Sequence, residues 1–397
     1  MNRSVHRWAA GLALACLAPA AMLALACLAR QADGQAAAPA PTADAQAAPA
    51  PTAESRRNEG YQLLREGKPA EAEAAFRESI RLNPREIAAH VGLGQALATL
   101  GRHADAVEAY RAAVHLNPVS PDFRMQLGAA LALAGRRDEA AATFMRAADF
   151  APGAAGPLVA ASEQLRELGR YGQAVEAATR AMGFEPTNPA THITLALAEG
   201  ARERWDAAIR AYHAVLRLVP GNRPARLALA SAYHSAKRYD DCIREARALL
   251  SANADDYEAR AALAAGLEGL GRRDEAIAEY RAALERAPRA AVIWGNLGWS
   301  LYGAERLPEA IEASRKALEI DGKLAYVRFN LGLIYAVMGD AERSGQEYGA
   351  ALAVAEPADT RAAIKDVRDA IARRGETPAL REALRLLTTP REGHERT

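Results

Sequence analysis

Apolar and small residues recur along most of this chain at helical spacing, and the pattern itself recurs. In the stretch 291–322, Trp294, Leu297, Gly298 and Leu301 fall on one face of a first helix, and Ala310, Ile311, Ala317, Leu318 and Ile320 on one face of a second. A helix pair of this length buries too little apolar surface to stand alone, so copies must stack and share one core. The copies are present. Pro84, Pro118, Pro152, Pro186, Pro220 and Pro288 lie 34 residues apart, or twice that across the one gap, where Ala254 replaces proline. Gly67, Gly101, Gly135 and Gly169 keep the same interval, and Gly271 and Gly339 stay on the same ruler. Nine repeats follow, starting at Ala53, Ile87, Pro121, Ala155, Pro189, Arg223, Tyr257, Ala291 and Ala325, and together they span 53–358.

Within the repeats each recurring position has a physical reason. Gly94, Gly128, Gly298 and Gly332, facing Ala106, Ala140, Ala310 and Ser344, keep side chains small where the two helices cross, which leaves room for Tyr110 or Phe144. The glycine between the helices takes the left-handed conformation that ends the first one. The proline near the end of a repeat stops the second. Trp294 is expected to pack between its own second helix and the preceding repeat, so that Trp294→Ala empties a core site worth ~3 to 5 kcal/mol.

This 34-residue helix-turn-helix pattern resembles the tetratricopeptide repeat. The family's residues stand here as Trp294, Asn296-Leu297-Gly298, Leu301, Ala310 and Ala317. They recur as Leu93-Gly94, Leu97, Ala106, Tyr110, Ala113 and Pro118, and again as Leu127-Gly128, Leu131, Ala140, Phe144, Ala147 and Pro152. The resemblance implies an all-α, right-handed superhelical solenoid whose first helices line a concave groove that holds peptides or protein partners. Family members that clamp a C-terminal carboxylate of heat-shock chaperones line this groove with Lys, Asn and Arg. The matching positions here include Arg57, Tyr61, Val91, Gln95, Met125 and Ala129, which do not reproduce that clamp.

The repeats are not uniform. The fourth puts Ala161 and Ala178 where large residues are wanted, the fifth puts Glu199 at an apolar position and Glu203 at the turn glycine, and the sixth lacks both turn glycine and terminal proline. Repeats four to six are expected to be the softest. Beyond the array, residues 359–374 carry Ile364, Val367 and Ile371 on one face and charges on the other, as a helix sealing the end of a solenoid would. Thr377-Pro378 then opens a shorter helix, so that 359–388 read as capping helices and 389–397 as a disordered tail.

At the other end, Arg3, His6 and Arg7 precede an apolar run from Trp8 to Ala29, the order of an export signal. Three outcomes are open for residues 1–29: cleavage after a small-x-small site such as Ala24-Leu25-Ala26, retention of 8–29 as an inner-membrane anchor, or lipid attachment at Cys27. All three place the remainder in the periplasm or otherwise outside the cytoplasm. Residues 30–52, rich in alanine and proline and free of large apolar side chains, read as a disordered linker.

Composition changes this picture little. The net charge is +1, so nothing calls for nucleic acid, and abundant alanine and arginine match the codon usage of a GC-rich bacterial genome. Membrane contact is expected only through the N-terminal segment, and the pattern leaves the oligomeric state open. Cys242, at the small crossing position, reads as an inert buried thiol. The histidines at 90, 103, 115, 192, 213, 234 and 394 form no metal-ligand spacing. His90 and His192, at the position of Trp294, are expected to pack. Asp105, Glu139, Glu275 and Glu309 recur just before the crossing alanine, where they favour a helix N-terminus. No catalytic residue, cofactor site or metal site is expected. The reading is a non-enzymatic scaffold or adaptor of the cell envelope, the alternative being a chaperone or assembly factor for envelope polymers or secretion machinery. The candidate partner-binding residues are Trp299, Tyr302, Tyr326, Phe329 and Leu333, expected to form one exposed apolar patch in the groove of repeats eight and nine. Leu380, Leu384 and Leu387 offer a cover for it in the resting protein.

Overall fold

A computed structural model describes residues 51–150 and 153–389. The expectations for the segment 1–29, for the linker up to residue 50, for Pro152 and for the tail from 390 lie outside the described residues. Among those described there are helices and no strands, and the chain divides into two compact units, one ending at Pro220 and one beginning at Gly221.

The N-terminal unit holds ten helices: α1 (Ala53–Arg65), α2 (Pro69–Leu82), α3 (Ile87–Thr99), α4 (His103–Leu116), α5 (Pro121–Leu133), α6 (Arg137–Asp149), α7 (Ala155–Glu167), α8 (Tyr171–Phe184), α9 (Pro189–Ala201) and α10 (Trp205–Leu218). The C-terminal unit holds another ten: α11 (Arg223–Ser235), α12 (Tyr239–Ala252), α13 (Tyr257–Gly269), α14 (Arg273–Arg286), α15 (Ala291–Gly303), α16 (Leu307–Ile320), α17 (Ala325–Val337), α18 (Ala341–Leu352), α19 (Pro357–Arg374) and α20 (Pro378–Thr388). From α1 to α18 the odd helices are first helices and the even ones second helices. Each first helix starts 34 residues after the last, at 53, 87, 121 and so on to 325. Thr52 belongs to this folded part, since its hydroxyl accepts from the Ser55 N–H and caps α1.

The core is built at the crossing of each pair. A Cβ placed on Gly128 would stand 2.5 Å from the ring of Phe144, which is fully buried. Only a residue without a side chain lets α5 lie against that ring. Repeat four solves the crossing differently. Ser162 replaces the glycine, Ala178 replaces the ring, and the Ser162 hydroxyl donates to the Ala174 carbonyl at 2.8 Å. Cys242 is fully buried as expected, and burial pushes its thiol up to about 12.

Each first helix ends in the same left-handed turn whether or not glycine is there. Gly101 has φ +75°, and the N–H of Arg102 returns to the Leu97 carbonyl at 2.9 Å. Glu203, Lys237 and Glu305 adopt φ of 59°, 62° and 62° at the same place. Around Lys237 the returning bond is kept, from the Arg238 N–H to the Tyr233 carbonyl at 2.8 Å. The hydrogen bonds of the turn therefore outweigh the strain of a side chain in that region.

One expectation changes. Trp294 does lie between α14 and α16, but it is half-buried and edges an open cleft, so the contact is not closed. At the end of the array α19 packs on α17, and α20 packs on both α17 and α18 with Leu380, Ala383 and Leu387 buried.

Lys237→Gly is expected to stabilise the C-terminal unit by about 0.5 to 1 kcal/mol, because it removes left-handed strain at a small cost in chain entropy. Gly135→Ala, where φ is +78° and no atom crowds the site, is expected to act in the opposite sense. Urea melts of both variants check this, and stabilisation by the alanine would contradict it. Trp294→Ala is expected to cost only about 1 to 2 kcal/mol, below the range for a closed aromatic core site.

Candidate functional site

First helices of successive repeats touch within each unit: α1 with α3, α5 with α7 and α7 with α9 in one, α11 with α13 and α15 with α17 in the other. Their shared solvent-facing side is the surface that the repeat pattern assigns to binding. In the N-terminal unit it carries Tyr61, Val91, Met125, Ala129 and Val159, all half-buried against the core, with Gln95 exposed among them. The polar groups here are held in place. Arg57 donates to Glu86 at 3.0 Å and to Glu54 at 3.2 Å, and the Tyr61 hydroxyl donates to the Ala88 carbonyl at 2.7 Å. Burial raises the Glu163 carboxyl above its ordinary range against the pull of Arg166. The result is an apolar row at whose edge Arg57 is already engaged by carboxylates.

The C-terminal unit treats the same face differently. Trp299 and Tyr302 do lie together on α15, with ring centroids 5.2 Å apart. Tyr302, Phe329 and Leu333 are buried, however, at 3%, 4% and 1% exposure, and Trp299 and Tyr326 are half-buried. The expected exposed patch of Trp299, Tyr302, Tyr326, Phe329 and Leu333 is therefore corrected to a covered cluster. Phe329 turns toward Tyr348 of its own repeat, with centroids 6.2 Å apart, and the Tyr326 hydroxyl lies against Gly295 of α15.

The cover is α19. It runs onto α17 with Asp359, Ala363, Asp366, Val367 and Ala370 buried, and its last turn is tied to the α15 end by a hydrogen bond from Arg374 to Glu305. Burial raises the Tyr302 phenol, and Arg373 and Arg374 of α19 oppose that rise. The stripe expected on this helix, Ile364, Val367 and Ile371, has only Val367 fully buried, and it is joined by an acid. Burial pushes the Asp366 carboxyl up to about 7 against the pull of Lys365. The leucines expected as a cover, Leu380, Leu384 and Leu387, lie on α20, which also packs on α17.

Other candidate residues turn out to hold the scaffold. His90 Nε2 lies 2.9 Å from the Pro84 carbonyl and His192 Nε2 lies 2.7 Å from that of Pro186, so these histidines tie down the turn before their helix. The carboxylates at the second-helix starts do more than meet a helix dipole. Arg136 donates twice to Glu139 at 2.7 Å, Arg272 twice to Glu275 and Arg306 twice to Glu309 at the same length. These arginine hydrogen bonds hold the three carboxyls below their usual range. The signal was available in the spacing, an arginine three residues before each acid. No group of three or more metal-ligating side chains occurs among the described residues, and no described helix is long and apolar enough to cross a membrane.

Comparison with known proteins agrees with this architecture. One family profile described as tetratricopeptide repeat matches residues 57–121, 100–155 and 258–325, and another of the same description matches 201–267, together more than half of the chain. No curated protein matches. Among solved structures, a hetero-tetramer of the APC/C, Cut9-Hcn1, aligns at 17% identity and a TM-score of 0.45 over 76% of this chain, which spans 59% of that one. A tetratricopeptide repeat protein from Parabacteroides merdae aligns at 15% identity and a TM-score of 0.49, covering 71% of this chain and 98% of the other. YrrB, a TPR protein described as having an unusual peptide-binding site, aligns at 20% identity and 0.35 over 45% of this chain and 92% of its own.

The buried Asp366 makes the docking of α19 depend on pH. Its folded value is raised, so the unfolded chain ionises first as pH climbs past about 4, and the native state loses stability until pH passes about 7. Asp366→Asn is expected to raise the melting temperature at pH 8 by the equivalent of roughly 1 to 3 kcal/mol, with the gain shrinking toward pH 4. A variant that melts lower than the parent at pH 8 would contradict this account.

Proposed function

Because this chain belongs to the tetratricopeptide repeat family, we propose that it is a non-enzymatic scaffold that holds a peptide or protein partner against the first helices of its N-terminal unit, in a bacterial cell envelope. The observation that carries this reading is the half-buried row of Tyr61, Val91, Met125, Ala129 and Val159, an apolar surface laid along adjacent helices and edged by engaged polar groups. The cluster of Trp299, Tyr302, Tyr326, Phe329 and Leu333 joins the binding surface only when α19 leaves it. Export rests on the order of Arg3 and Arg7 followed by the apolar run 8–29. A chaperone or assembly factor would use the same row on many unfolded clients, whereas an adaptor holds one partner.

Copurification from crosslinked cells is expected to yield a discrete partner, and Val91→Glu with Met125→Glu is expected to lose it with helicity retained. A ladder of unrelated clients would favour the chaperone, and capture unchanged by the double variant would remove this row as the site. A tag placed after Thr397 is expected to be protease-accessible in spheroplasts, and protection would reject the topology.

A further inference from the structure

In the C-terminal unit the fourth residue of each repeat, counted from the start of its first helix, follows a rule that one repeat breaks. In repeats six, seven and nine it is an arginine that pairs with a glutamate on the second helix: Arg226 with Glu245 at 2.9 Å, Arg260 with Glu279 at 3.1 Å and Arg328 with Glu347 at 3.2 Å. Arg260 and Arg328 also donate to a carbonyl of the preceding turn, at Ala254 and Gly322. In repeat eight Trp294 replaces the arginine and Ala313 replaces the glutamate. The indole keeps the carbonyl bond, donating to Pro288 at 2.9 Å, but no ion pair fills the space beyond it. A cleft of about 400 Å³ opens there between α14, α15 and α16, floored by Trp294, Leu284 and Ala313.

The charges around this cleft are mostly negative. Arg281 is engaged by Glu309 at 2.7 Å, and Glu309 also accepts both bonds from Arg306. Glu285 and Glu312 line the same cleft, are exposed, and have no ion-pair or hydrogen-bond partner among the described residues. A half-buried indole beside two unengaged carboxylates is complementary to a cation on an alkyl stem. In the neighbouring repeats the chain supplies that group itself.

We propose that this cleft binds an arginine or lysine side chain of a protein partner, its stem on Trp294, Leu284 and Ala313 and its charged head at Glu285 and Glu312. The site lies on the second-helix side and does not depend on the apolar row of the N-terminal unit.

Calorimetry of the full chain with the peptide acetyl-Ala-Leu-Arg-Leu-Ala-amide, and with its citrulline counterpart, tests this. The arginine peptide is expected to bind saturably, about fivefold or more tighter than the citrulline one, and to weaken with salt. Trp294→Arg with Ala313→Glu installs the pair of repeats seven and nine, and is expected to abolish binding while the melting curve is kept. Should that variant not fold, Glu285→Gln with Glu312→Gln, both on the surface, is expected to reduce the arginine preference to that of citrulline. Met125→Glu is expected to change nothing, which separates this site from the proposed groove. Absence of saturable binding, equal affinity for the two peptides, or unchanged binding in either cleft variant would overturn the proposal, as would its loss in Met125→Glu.

Discussion

The fold depends on how closely two helices can approach at one crossing. At Gly94 a Cβ would come within 2.8 Å of the Tyr110 ring, and at Gly128 within 2.5 Å of Phe144. Any side chain there drives the pair apart, and a pair driven apart no longer presents a flat face to the next. Because no pair buries enough surface alone, that face is what each repeat contributes to its neighbour, and stability accumulates by nearest-neighbour stacking. Exchange of the glycine for serine in repeat four is tolerated because Ala178 leaves space and the Ala174 carbonyl takes the hydroxyl proton.

Charge serves the same stacking. The arginine–carboxylate pairs at second-helix starts hold the entry to each helix, and Arg111 with Glu139, or Arg281 with Glu309, bridges successive second helices at 3.3 Å and 2.7 Å. Each of these exposed pairs contributes little alone. Their repetition keeps polar groups engaged on the outer side and leaves the first-helix face of the N-terminal unit to apolar side chains. Among repeats six to nine, the eighth, with Trp294 and Ala313 in place of an ion pair, departs from that division.

The array could be read in the sequence because two independent periods agree: the helical spacing of Leu93, Leu97 and their equivalents, and the 34-residue recurrence of glycine and proline. The starts of the nine first helices fall where those periods put them. What escaped was which surface the closing helices would choose. The apolar stripe of α19 says that one face is buried but not against what, and both α19 and α20 pack on α17. Asp366, in line with Ala363 and Ala370, was the available sign that this face meets the phenols of Tyr302 and Tyr348. Register put the rings of Trp299 and Tyr302 together on α15, whereas the burial of Tyr302 and Phe329 was decided in part by a segment beyond the repeats, which periodicity does not reach.

Photo-crosslinking in living cells tests the binding account most directly. A benzophenone side chain placed at Gln95, on the first-helix face, is expected to trap a discrete adduct, whereas the same group at Arg111, on a second helix of the same unit, is expected to trap none. Adducts of equal yield from both positions, or from Arg111 alone, would contradict the account.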